Sequence, residues 1–429
     1  MSSRILIIGA GAAGLIAARR LAAEGFSIIL LEAAALPGGR IHSFPIPGFT
    51  GLVEAGAEFV HGDLPITLQL TREAGVSLIP THHLQVMVGG EKLAAGDDSA
   101  DGENGFFPHW NELMEEMAKL AEDQPIAQFL ATHFPGEQYS GLRRAVQRFA
   151  EGYDLADLTT ASTKALYKEW SGEEDTSEYR VDGGYGVLVD YLVRECRRLG
   201  AHVHFGSAVT EVRWRAGNVD VATVGGERFT AERLVVTSSL GVLRHLTFLP
   251  SIPDVVEAAA GIGYGSVIKI LLEFRTPFWR EDRPGAQTLF IISEQQPVPV
   301  WWTQADEGST LLTGWLTGEN MRRFQALDPQ ERLERCLSSL AAVFSRDIAL
   351  LREQLAAFRI FDWQEQPFVH GGYSFDTVTT PACRQLLRTP VAETLYFAGE
   401  ATYEGNVPGT VEAAFHSGLE VAEKIIARH

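Results

Sequence analysis

The chain has 429 residues, 45% of them hydrophobic and 21% charged, with a formal net charge of −19; that length suggests about two to three domains, and the composition excludes a disordered chain. The acidic balance argues against nucleic acid and anionic membranes as partners and favours a cationic small molecule. No apolar run reaches the roughly 18 residues needed to cross a bilayer, and Cys196, Cys336 and Cys383 are widely spaced with no CxxC, so we expect free thiols, no disulfide framework or zinc site, and a soluble cytoplasmic protein without export signal or anchor.

The first predicted unit is βαβ. An apolar run, Ile5-Leu6-Ile7-Ile8, leads into Gly9-Ala10-Gly11-Ala12-Ala13-Gly14, then a helix-favouring stretch, then Ser27-Ile28-Ile29-Leu30-Leu31 ending on Glu32. Gly9 permits the tight turn, Gly11 a close approach to a pyrophosphate, and Gly14 close packing of helix on strand. The helix N-terminus offers unpaired N–H donors to an anion, and Glu32 is spaced to accept hydrogen bonds from a ribose.

The run that follows, Glu32-Ala33-Ala34-Ala35-Leu36-Pro37-Gly38-Gly39-Arg40, resembles the extended fingerprint of FAD-dependent amine oxidases. Gly38 and Gly39 let the backbone wrap a second phosphate or the flavin edge, and Arg40 supplies a planar donor fork for diphosphate. The resemblance extends to residues 50–62, where Gly56-Ala57-Glu58-Phe59 would lie flat against a planar ring and His61 would reach the substrate pocket. His61 reads equally well as a histidine hydrogen-bonded at a strand end.

Residues 64–169 turn helical and irregular, with a mobile loop expected over 94–105 and helices over 110–121 and 142–149. The acids there, Glu112, Glu115, Glu116 and Glu151 among them, read as solvated faces. A helix is expected over 187–199, a strand over 202–205, a hairpin from 209–214 and 219–224, and a strand over 233–238. The resemblance puts Val209 against the adenine and Thr237 with Ser238 near the cofactor.

Lys269 stands among strand-forming apolar residues, where a lysine either snorkels outward or finds a buried polar partner. Its segment resembles the amine-oxidase strand whose lysine contacts flavin N5 through a water. Trp301, Trp302 and Trp315 read as core anchors, and a helix is expected near 330–344. Further on, Trp363 opens a Trp-x-x-x-Pro segment that ends at Tyr373, which the resemblance makes an aromatic wall of the pocket. Monoamine oxidases tie their flavin to a cysteine just before that tyrosine; Gly372 here implies a non-covalent FAD. Finally Gly399-Glu400 and Thr410-Val411 resemble the ribityl, pyrophosphate and flavin-edge site, with Thr410 where monoamine oxidases have a second tyrosine.

The resemblance, to the polyamine-oxidase and lysine-demethylase branch, implies an α/β fold: a discontinuous Rossmann-like FAD domain (1–64, 175–248, 390–429) interleaved with an α+β substrate domain (65–174, 249–389). It implies oxidation of a polyamine or monoamine by hydride transfer to flavin N5, giving an imine and then aldehyde plus amine, with O2 reduced to H2O2. Lys269, Tyr373 and His61 would form the catalytic pocket, and Ala13, Ala33 and Gly39 would join the cofactor contacts. No long helical insertion or added N-terminal module is apparent, which counts against a chromatin demethylase. An FAD-dependent desaturase or oxidase of a non-amine substrate and a non-catalytic flavin binder remain open.

Overall fold

A computed structural model describes residues 3–62, 64–81, 83–89, 92–95, 109–172, 177–282, 288–293, 295–304, 306 and 308–428. Its first sheet is parallel and five-stranded, in the order His202–His204, Ser27–Leu31, Arg4–Ile8, Arg233–Val236, Leu395–Phe397. Parallel strands of this kind are buried on both faces, which explains the unbroken apolar runs. Ile5, Ile7, Leu30, Val235 and Tyr396 point into a core shared with the helices Ala12–Ala23, Gly186–Arg198 and Val411–Ile426. Leu6, Leu234, Val236, Leu395 and Phe397 point the other way, against the antiparallel strands Val209–Arg215 and Asn218–Thr223.

A second, seven-stranded sheet is ordered Leu355–Asp362, Ile268–Phe274, Leu311–Leu316, Val300–Thr303, Thr288–Ile292, His83–Gly89, Lys92–Ala95, antiparallel except between the strands that begin at Thr288 and His83. In its strand Ile268–Phe274 every residue is buried. The period of two sends Ile268, Ile270, Leu272 and Phe274 into a core with Cys336, Leu337 and Leu340 of the helix Pro329–Phe344. Lys269, Leu271 and Glu273 therefore share the opposite face. There Leu271 packs on Ile46 and Val53, and Glu273 accepts from Thr50 Oγ1 at 2.6 Å and Thr310 Oγ1 at 2.7 Å. Beside these sheets the helices Trp110–Ala118, Ile126–His133, Ser140–Gly152 and Thr163–Trp170 gather around Leu113, Phe129, Leu142 and Leu166.

The expected elements need small corrections at their ends. The first of these helices stops at Ala118 and the third runs from Ser140 to Gly152. Ala94 and Ala95, expected in a loop, pair with Met87 and Val86 as strand; 96–105 lie outside the described residues. The helix Pro65–Ala74 packs by Leu70 into the core of the parallel sheet, and Val255 and Ala258 of the helix Pro253–Gly261 join the core on its other face. We propose to keep the interleaved two-domain division and to count both helices with the cofactor half. Among the described residues no helix is long and apolar enough to cross a membrane.

The helix Val411–Ile426 crosses Ala12–Ala23 so closely that a Cβ on Gly418 would fall 2.3 Å from the Ala13 carbonyl oxygen. Alanine ordinarily stabilises a helix interior over glycine by about 1 kcal/mol. Here Gly418→Ala is expected to destabilise by about 1–3 kcal/mol through overpacking, read as a lower midpoint in denaturant unfolding.

Candidate active site

At the first turn Gly9 takes φ +102°, and a Cβ on Gly14 would land 1.9 Å from the Gly9 carbonyl oxygen, so strand and helix meet at a distance only glycine permits. A Cβ on Gly11 would meet only the Gly38 carbonyl oxygen, at 3.8 Å, and Gly38 N–H donates to the Ala10 carbonyl at 2.9 Å. The Gly38-Gly39-Arg40 loop thus lies beside the turn. Ala13 is buried within the helix that follows, and Ala33 and Arg40 are half-buried. Glu32 is buried and accepts from Ala10 N–H at 2.6 Å and Ala34 N–H at 2.8 Å. Burial raises its pKa, and those donors oppose the rise.

Thr237 Oγ1 lies 2.8 Å from the Ile8 carbonyl oxygen and 3.1 Å from that of Gly9, bracing the turn from the neighbouring strand. Ser238 Oγ is buried with no hydrogen-bond partner among the described residues. Val209 is half-buried, at the start of a strand reached from Glu32 through Ser207, whose N–H donates to the Glu32 carbonyl at 2.8 Å.

Lys269 is only 1% exposed. Its Nζ donates to the Gly56 carbonyl at 3.0 Å and to Glu58 Oε2 at 2.6 Å, and lies 5.5 Å from the Trp302 ring centre. The buried partner is therefore found, and the side chain faces the 55–59 segment. That segment is held flat: a Cβ on Gly56 would strike the Arg40 carbonyl oxygen at 1.8 Å, Ala57 N–H donates to the same oxygen at 3.2 Å, and Trp363 Nε1 donates to the Ala55 carbonyl at 2.9 Å. Glu58 Oε1 accepts from Trp302 Nε1 at 3.2 Å and pairs with Arg180 Nη2 at 2.6 Å. Burial alone would raise the Glu58 pKa; the Arg180 and Lys269 charges overcome it and hold the carboxyl at about 2. Trp302, expected as an apolar anchor, is thus also a donor. The Arg180 guanidinium lies 4.7 Å from the ring centre of Phe59, which is 5.8 Å from that of His61.

His61 is half-exposed, its Nδ1 3.4 Å from Glu178 Oε2 and its ring 6.5 Å from Tyr153. Tyr373 donates its hydroxyl to the Tyr153 carbonyl, and a Cβ on Gly409 would reach 2.9 Å from its ring. Arg40 Nη1 donates to Glu400 Oε1 at 2.8 Å and to the Gly372 carbonyl at 2.8 Å, while Glu400 Oε2 accepts from Ser374 Oγ at 2.5 Å. Two residues expected separately on the cofactor are therefore an ion pair. Thr410 caps the helix Val411–Ile426, accepting from Ala413 N–H at 3.1 Å, with Val411 at its first turn. A Cβ on Gly399, at φ +144°, meets nothing within 4 Å.

The family model for flavin-containing amine oxidoreductases matches residues 12–426. The chain belongs to that family. It is 27% identical to polyamine oxidase 2 of Arabidopsis thaliana over 98% of its own length and 88% of the relative's. To lysine-specific histone demethylase 1 homolog 2 of Oryza sativa subsp. japonica it is 26% identical over 99% of its length, but it spans only 57% of that relative. The fold is shared with putrescine oxidase bound to putrescine (TM-score 0.82, 22% identity, 100% of both chains). It is shared equally with the cyclohexylamine oxidase of Brevibacterium oxydans (TM-score 0.82, 20% identity, 100% and 99%).

The family is flavin-containing, and the residues present fit FAD. The open side of Gly11, the free space at Gly399, the unpartnered Ser238 hydroxyl and the helix N-terminus after Gly11 can together receive a dinucleotide diphosphate and its sugars.

Several acids in the helical region depart from the expectation of solvated faces: Glu116 is half-buried, and Glu151 is half-buried with its pKa raised by burial. Glu112 and Glu115 are exposed, but Asp154, unremarked in the sequence, is buried, takes Trp170 Nε1 at 3.3 Å and hydrogen-bonds Glu169. Two carboxyls share a hydrogen bond only if one of them is the acid. Burial, with Asp376 nearby, raises Glu169 to about 7. The folded protein then keeps a proton that the unfolded chain releases above about pH 4.5, so stability falls as pH rises through that window. Glu169→Gln removes the effect. Its stability relative to the parent, followed by denaturant unfolding between pH 4.5 and 7, is expected to gain about 1–3 kcal/mol as pH rises.

Proposed function

We propose that the protein is a cytoplasmic FAD-dependent oxidase of a small cationic amine, a polyamine or a primary or secondary monoamine, releasing aldehyde and amine. Bound FAD supplies the hydride acceptor for the carbon beside the amine nitrogen and passes the electrons to O2, yielding H2O2. The observation that carries the reading is an ammonium buried to 1% exposure opposite the flat glycine segment, in a chain of this family.

Each residue then has a task. Glu32 binds the ribose next to the adenine, and Gly11, Gly39 and Arg40 border the diphosphate, with Arg40 also fixing Glu400 for the ribityl side. Lys269 uses two of its three N–H donors on Gly56 and Glu58 and keeps one for a water at the reactive edge of the ring. Tyr373, anchored through Tyr153, walls one side of the substrate. His61, at the half-exposed rim, hydrogen-bonds the amine or a water. None of these is a nucleophile; they orient the amine and exclude solvent.

A second reading has a specific observation behind it: several relatives at 25–27% identity are lysine-specific demethylases or their homologs. A methylated lysine side chain presents the same C–H beside an amine nitrogen. Anaerobic mixing with spermine, spermidine, tyramine, phenethylamine and a dimethyl-lysine peptide separates the cases. Bleaching by a free amine supports the oxidase, bleaching by the peptide alone supports the demethylase, and no bleaching contradicts both. Lys269→Met should retain FAD and slow bleaching by about tenfold or more.

Gly372 carries no sulfur for attachment, and a Cβ there would sit 2.5 Å from Leu155 Cδ1. Acid precipitation of the holoprotein is accordingly expected to leave the yellow flavin in the supernatant; colour in the pellet would mean a covalent link.

A further inference from the structure

We infer that Glu58 is a positioning residue that acts on the reaction through Lys269, not a ligand of the cofactor. The inference rests on the reading of Lys269 as the flavin-facing residue. Both oxygens of Glu58 are already engaged: Oε2 by Lys269, Oε1 by Trp302 Nε1 and the Arg180 guanidinium. These partners come from three separate strands, Ile268–Phe274, Val300–Thr303 and Glu178–Val181. Arg180 is held in turn: its Nη1 donates to Gln304 Oε1, and Gln304 Nε2 donates to Thr313 Oγ1 at 3.1 Å. The carboxylate is thus fixed from several sides and in turn fixes where the Lys269 ammonium sits.

Its charge matters as much as its place. Lys269 and Arg180 are two cations around one anion, and burying an ammonium without a counter-charge is costly. Glu54, whose pKa is raised by burial, is a second acid whose charge reaches Lys269 and Glu58 among the described residues, but its oxygens accept from Ser43 Oγ at 2.5 Å and Tyr185 N–H at 2.6 Å. Replacing Glu58 by glutamine leaves the shape and removes the anion. Lys269 then stands buried beside Arg180 with no facing carboxylate in contact, and an ammonium so placed loses its proton at lower pH.

The test uses the holoprotein and the amine that bleaches the flavin fastest among spermine, spermidine, tyramine and phenethylamine. The limiting rate of anaerobic flavin reduction is measured against pH for the parent, Glu58→Gln, Lys269→Met and the double variant. Glu58→Gln is expected to retain FAD, to reduce about tenfold more slowly at neutral pH with the half-saturating amine concentration changed less than about threefold, and to gain an ionisation absent from the parent profile. The double variant should match Lys269→Met, because a residue acting through Lys269 has nothing left to act on. A parental rate and pH profile in Glu58→Gln would overturn the inference, as would a double variant slowed by the product of the two single effects. Should Glu58→Gln alone not fold, the comparison of Lys269→Met with the double variant decides. If Lys269→Met reduces at the parental rate, the flavin-facing reading itself fails, a different outcome from a slow Lys269→Met beside an unaffected Glu58→Gln.

Discussion

An ammonium taken out of water must be neutralised or it unfolds what surrounds it, and in this protein that constraint falls on Lys269. The desolvation cost of a buried charge is several kcal/mol, recovered only with good geometry and complete hydrogen bonding. Glu58 and the Gly56 carbonyl satisfy it at 2.6 and 3.0 Å. Because those partners belong to the 55–59 segment and Lys269 to the seven-stranded sheet, the pairing also ties that segment to the sheet.

The same face of the strand repeats the arrangement. Glu273, four residues beyond Lys269, takes hydroxyls from Thr50 and Thr310, and Leu271 between them fills the gap against Ile46 and Val53. A polar contact at each end of an apolar one specifies a single register between sheet and segment, since a one-residue slip would bury both charges in the opposite core. The glycines do the equivalent for the parallel sheet. Gly14 lets helix meet strand turn, and Gly418 lets helix meet helix, at distances no side chain allows.

How much of this the sequence discloses depends on distance along the chain. The turn from Gly9 to Gly14 and the acid at Glu32 are local, and their spacing alone anticipates the geometry. Lys269 is legible as an anomaly, a charge between apolar residues that favour a strand. Its partner is not, because Glu58 lies 211 residues away and sits in a segment where the family resemblance suggested a cofactor contact. Arg40 and Glu400, read as independent cofactor residues, pair with each other across 360 residues for the same reason. Asp154 and Glu169 escape notice in a region rich in solvated acids, where only burial distinguishes them. Gly418 reads as an ordinary helix residue until the neighbouring helix is in place.

The central claim is that the ammonium at 269 is held by Glu58 so that its remaining donor reaches the reactive nitrogen of the flavin through a water. A crystal structure of the FAD-loaded protein tests it most directly. The account predicts Lys269 Nζ still on Glu58 and one water bridging Nζ to flavin N5 through two hydrogen bonds of about 2.7–3.2 Å each. A flavin whose N5 lies away from Lys269, or a Glu58 turned from the lysine onto the cofactor, would contradict it.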